Sequence, residues 1–180
     1  MLGRLGAIAL VISTAIGVTS HAAGAGNESC AVAWGSLAKV DADMSRAHLV
    51  NIRAGRHECF DRIVFDIDGP AGGYAVRYRA QVTQIASGEP VPLRGGAFLE
   101  VIVRVPAHDD DGQSTYPRAG RRHLVNVRGF STFRQAAWAG TQEGLTAIGL
   151  GVRARLPFRV LVLAGPGAGS RIVVDVAHHW

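Results

Sequence analysis

Apolar and polar residues alternate with a period of two along much of the chain, and that period predicts half-buried β-strands. In FDRIVFDID, Ile63, Phe65 and Ile67 share one face, while Arg62, Val64, Asp66 and Asp68 share the other, and Gly69-Pro70 ends the run. Tyr74, Val76, Tyr78, Ala80 and Val82 continue the pattern against Arg77, Arg79 and Gln81. Leu99, Val101, Val103 and Val105 point inward against Glu100 and Arg104 until Pro106 stops the strand. Three shorter candidates follow, centred on Ile148, Leu150 and Val152, on Phe158, Val160 and Val162, and on Ile172, Val174 and Val176 after the turn Gly165-Pro166-Gly167. Residues 26–47 show no clean period and read as an irregular lead-in that packs Trp34 and Leu37 on the domain edge. No helix of ordinary length is required.

Two internal echoes suggest a symmetrical design. HLVNIRAG at 48–55 returns as HLVNVRGF at 123–130 in the same expected strand register, and DRIVFDI at 61–67 resembles SRIVVDV at 170–176. The separations are 75 and 109 residues, so a simple tandem repeat is excluded and related strands in facing sheets are expected. An antiparallel sheet with one apolar face has to bury it, and without helices its partner is a second sheet. The expected fold is all-β, a compact β-sandwich of two mainly antiparallel sheets.

The N-terminus changes the compartment. Arg4, an apolar run from Leu5 to Val18 and a small-residue stretch ending Ala23-Gly24-Ala25 have the order of parts of a secretory signal peptide, expected over residues 1–25. The run is shorter than the roughly 20 residues of a membrane span, so no membrane association is expected after cleavage. Residues 26–180 then form a single domain with a net charge of +4, and an exported chain gives its two cysteines meaning. Cys30 and Cys59 form an even pair without CxxC or zinc-finger spacing and read as one disulfide. His57, Glu58 and Cys59 lack the further ligands that a copper or zinc site needs.

Of the 19 basic residues only Lys39 is a lysine, and the arginines are scattered among acidic residues rather than gathered in an arm, which excludes nucleic acid as an expected partner. Arg77, Arg79, Arg94 and Arg104 are candidate ligand-binding residues, because outward forked donors suit carboxylates or phosphates. Arg121, Arg122 and His123 are the tight basic triplet, and pairing with the acidic loop nearby would neutralise both. That loop, His108 with Asp109, Asp110 and Asp111, reads as a solvated turn, a partner or glycan contact, or a calcium site, although it lacks the ligand spacing of an EF-hand. Among the aromatics, Tyr116 and Trp138 are the first candidates for a sugar-stacking platform.

No nucleophile elbow or HExxH motif is present; Ser131 lies in GFSTF, and His178, His179 and Asp175 sit at a chain end expected to be structural or frayed. No catalytic residue, metal site or cofactor is assigned.

FDRIVFDI, YAVRYRAQV, GEPVPLRGGAFLEVIVRV, DDDGQSTY, PFRVLVL and SRIVVDVAH together resemble the AMIN-like domain of secreted actinobacterial proteins, over residues 34–179. VTQIASGEPVPLRGGAFLEV and HDDDGQSTYP are the most diagnostic stretches. That group is similar in turn to the AMIN domain, a β-sandwich found beside cell-wall amidases and secretin-type envelope proteins and thought to localise them. The resemblance implies a non-enzymatic, secreted or envelope-associated module that binds peptidoglycan or an envelope protein, expected here as a monomer. The alternatives are a structural or assembly protein without glycan affinity and a small hydrolase built around His108, Asp109 and Asp111.

Overall fold

The computed structural model describes residues 30–116 and 120–180; the expected leader lies outside them. The described chain is a sandwich of nine strands, β1 (Lys39–Asp41), β2 (Leu49–Arg56), β3 (Phe60–Ile67), β4 (Tyr74–Arg79), β5 (Ala97–Val103), β6 (Phe133–Gln142), β7 (Leu145–Val152), β8 (Phe158–Ala164) and β9 (Ser170–Ala177). They form a five-stranded sheet in the order β1-β4-β5-β7-β6 and a four-stranded sheet in the order β2-β3-β9-β8. Every neighbouring pair is antiparallel. Among the described residues there is no helix.

The two-residue period sets the layers. Ile52, Ile63, Phe65, Ile172 and Val174 from the four-stranded sheet meet Val76, Leu99, Val101, Ile148 and Leu150 from the other in one buried core. Burying such side chains contributes about 1.5–3 kcal/mol each relative to exposure. The longest strand, β6, carries no clean alternation in FRQAAWAGTQ because both its faces are covered, and its pairing with β7 slips between Phe133 and Gln135 and between Trp138 and Gly140.

The cover on its outer face comes from residues 80–96. The expected strand through Val82 ends at Arg79, and the chain turns across the outside of the five-stranded sheet. There Val82 and Val91 bury themselves against Ala137, Ala139 and Ala147, with Ile85, Leu93, Phe98 and Ile102 packed around them as a second small core. Small side chains on the sheet make room for this flap. A Cβ on Gly151 would stand 1.9 Å from the Arg94 carbonyl oxygen, and one on Gly149 would stand 2.8 Å from the Leu93 side chain.

Three other expectations change. DRIVFDI and SRIVVDV become β3 and β9, which are not in facing sheets but hydrogen-bonded neighbours in one sheet. HLVNIRAG supplies β2, whereas HLVNVRGF is irregular. At that point the side chain of Gln135 takes the place of a ladder partner, its Nε2 donating to Arg122 O at 2.9 Å, so a regular strand does not form beside bulged β6. Leu37 is 76% exposed, while Trp34 lies edge-on to Phe60 with its centroid 5.7 Å away.

The disulfide is formed between Cys30 and Cys59 and ties the lead-in to the residue before β3. At the same end, the first inward residue of β3 is a buried acid, Asp61. One of its carboxylate oxygens accepts the N–H groups of Thr132 (2.6 Å) and Phe133 (2.9 Å), and the other lies 3.2 Å from His178 Nε2. His178 is anchored rather than frayed: its backbone N–H bonds Cys59 O and its Nδ1 donates to Glu58 O. This clasp fixes the start of β6 from the opposite sheet.

Candidate functional site

Beside that clasp, the irregular segment from His123 to Phe130 and the end of the flap enclose an open cleft of about 770 Å³. Its floor is built by Leu124, Val125, Val127 and Phe130, all packed on the main core. Phe130 also stacks on buried Phe133 at 5.8 Å. Gln135 joins the two walls. Its Oε1 accepts the Arg94 backbone N–H at 2.9 Å from the flap, while its Nε2 donates to Arg122 O across the cleft. A smaller hollow of about 330 Å³, lined by Pro92, Leu93, Arg122 and Gln135 among others, continues from the same place.

The cleft is cationic. Arg94, Arg128, Arg134 and His123 line it, and no acidic residue does. Arg134 folds back to donate to the carbonyls of Phe130, Ser131 and Phe133 at 3.0–3.2 Å, which caps the turn. Arg94 donates to Arg134 O, which brings the two like-charged residues together. Arg56, at the end of β2, donates to Gly129 O behind the rim. None of these arginines has a carboxylate within ion-pair distance among the described residues.

Four arginines elsewhere, Arg53, Arg62, Arg77 and Arg159, are paired with carboxylates. On the outer face of the four-stranded sheet, Arg53 bonds Asp66, and Arg62 and Arg159 both bond the buried carboxylate of Asp175. The hydrogen bond to Asp66 raises the pKa of Arg53, and the one to Asp175 does the same for Arg62, against the opposing effect of burial. Arg159 also lies 4.3 Å over the Trp34 ring.

The four arginines expected to bind ligand therefore separate. Arg94 lies in the cleft. Arg77 is held by Glu100 at 2.7 Å, and Arg104 donates to Asp41 O at 3.0 Å and joins β5 to β1. Arg79 stands exposed at the end of β4 beside a shallow hollow. Tyr116 and Trp138 stack on each other with centroids 6.0 Å apart and are 5% and 4% exposed, so they form core and present no platform to a sugar.

The acidic loop holds itself together. Asp109 Oδ1 accepts the N–H groups of Asp111 and Gln113, and His108 Nδ1 lies 3.2 Å from Asp109 O. With Asp110, Met44, Ser45 and His48 the loop borders an open hollow of about 720 Å³. No ion pair joins it to Arg121, Arg122 or His123, so the expected mutual neutralisation does not occur among the described residues. Instead Arg121 O and Leu124 N–H bond β6 at Trp138 and Ala136. Among the described residues no group of three His, Cys, Asp or Glu side chains is placed to hold a metal ion.

Arg128, Arg134 and Gln135 were not singled out by sequence reasoning. A signal for their cleft was present in the alternate glycines of IGLGV, since a strand that shows glycine on every outward position invites another backbone to lie on it.

The described chain is thus an all-β sandwich of two sheets with an arginine-lined cleft beside the start of β6. The chain belongs to the AMIN-like domain family, whose model matches residues 47–178. AMIN-like domains are in general non-catalytic modules associated with the cell envelope. No curated protein and no solved structure matches the chain.

Proposed function

We propose that the protein is exported and acts as a non-catalytic module that binds peptidoglycan through the cleft around Arg94. The observation that carries this reading is the segregation of charge. On the four-stranded sheet Arg53, Arg62 and Arg159 are matched to carboxylates, whereas Arg94, Arg128 and Arg134 converge on an open cleft without one. Unmatched like charges held together disfavour the free surface and favour an anionic ligand. The Cys30–Cys59 bridge supports export, because such bonds persist in oxidising compartments. The acidic turn at Asp109, whose carboxylate is occupied by its own loop, offers less support for the hydrolase alternative.

Sedimentation of the protein with purified, protein-free cell wall tests the proposal. Retention at low salt that falls steeply at high salt is the expected result, since exposed cations are screened within about 10 Å at 0.1 M ionic strength. Protein left in the supernatant at low salt would overturn it.

A further inference from the structure

We infer that the cleft recognises the peptide arms of the wall, through their free carboxylates, rather than its glycan strands. This inference rests on the peptidoglycan reading above and gives the ligand a chemical class.

Three features of the cleft point the same way. Arg94 and Arg128 are exposed, and a planar guanidinium matches a carboxylate with two parallel hydrogen bonds. Arg134 is occupied by three carbonyls of the 130–133 turn and acts as a positioning residue that adds charge without offering its fork. The wall formed by residues 123–126 is chain outside any ladder, and among the described residues only its Leu124 donates a backbone hydrogen bond. A peptide backbone can lie along such an irregular segment and hydrogen-bond to it, as an added strand does to a sheet edge. Leu124, Val125 and Phe130 give its short aliphatic side chains an apolar seat.

A glycan strand fits less well. Pyranose recognition favours an open aromatic face, and the two phenyl rings at the cleft among the described residues, Phe130 and Phe133, are stacked on each other.

The test titrates the full protein with a soluble wall stem peptide, the same peptide with its carboxylates amidated, glycan strands stripped of peptide, and inorganic phosphate. The stem peptide is expected to bind, and amidation to abolish binding. Arg94→Gln and Arg128→Gln should each weaken binding about tenfold or more, as expected for loss of a charge-assisted hydrogen bond. Arg53→Gln, on the paired sheet face, should leave it unchanged, and melting temperatures should confirm that all three variants are folded.

If intact wall sediments the protein while the stem peptide fails to bind, or stripped glycan binds as well as the peptide, the inference is wrong and the peptidoglycan reading stands. Equal binding of phosphate, or of an unrelated peptide with a free C-terminus, would likewise overturn the wall-peptide assignment. No retention on intact wall would remove both.

Discussion

Asp61 shows how one residue can hold two layers together. It sits at an inward position of β3, where an apolar side chain would normally be, and its carboxylate instead takes the N–H groups that open β6. Asp61→Ala strands two buried donors at about 1–3 kcal/mol each, so chemical denaturation should report a loss of about 2–6 kcal/mol. Asp61→Asn retains one acceptor oxygen and should cost less; an equal loss would show that the charge matters more than the backbone bonds. Tyr78 plays a similar part, donating to Leu156 O at 2.9 Å and accepting Leu156 N–H at 3.0 Å. Burial raises its phenol pKa, with the hydrogen bond accepted from the Leu156 N–H and the charge of Arg155 opposing. A group whose folded pKa lies above its unfolded value, about 10 for tyrosine, contributes stability that is full below that pH and is lost as pH rises through the folded value. Tyr78→Phe should therefore lower stability by about 1–2 kcal/mol at neutral pH and flatten the decline above pH 10 in melting curves.

The strands themselves were largely legible. Alternation placed Ile63, Phe65, Leu99, Val101, Ile148, Leu150, Ile172 and Val174 on inward faces, and they are in the core. The misreadings arise where a second layer or a side chain competes with the period. Val82 continues the β4 alternation in sequence but buries itself on the outside of the sheet, and β6 loses its period because its outer alanines are covered. Two similar eight-residue segments diverge because Gln135 and the β6 bulge meet one of them and β3 pairs with the other. Of the cleft, the sequence singled out Arg94 as a ligand-binding candidate and His123 only as part of a basic triplet, since Arg128 and Arg134 gain meaning from the absence of carboxylates near them in space. The flap is the element on which the cleft depends, and Gly151→Ala tests this. With the added methyl 1.9 Å from Arg94 O, the flap has to lift, and the variant should lose about 1–3 kcal/mol and exchange amide hydrogens faster across residues 91–96. Gly120→Ala, whose added methyl meets nothing within 4 Å, should behave as wild type.

At the scale of the molecule, a net charge of +5 conceals an uneven distribution. The four-stranded sheet wears a latticework of arginines and carboxylates, whereas the end that carries the cleft is left positive. The disulfide secures a different feature. It closes 29 residues of separation, from the lead-in to the start of β3, and holds Trp34 near Phe60 and Arg159. Loop-closure entropy puts its contribution at about 3–4 kcal/mol, so replacing both cysteines with serine should lower stability by about that amount in denaturant titrations. Because the cleft is assembled by Gln135 and the flap, wall binding by the folded fraction should survive the loss of the bridge.

The bare outward face of β7 carries a consequence for how such domains can diversify. The flap rests on the sheet through backbone atoms and missing side chains at positions 149 and 151, while the Arg94 side chain reaches away from that contact to Arg134 O and the cleft. Packing therefore dictates the two glycines and leaves position 94 free to change its chemistry. Relatives that grip a different ligand should keep the smooth strip and exchange the residue it carries, as a tool holder keeps its socket.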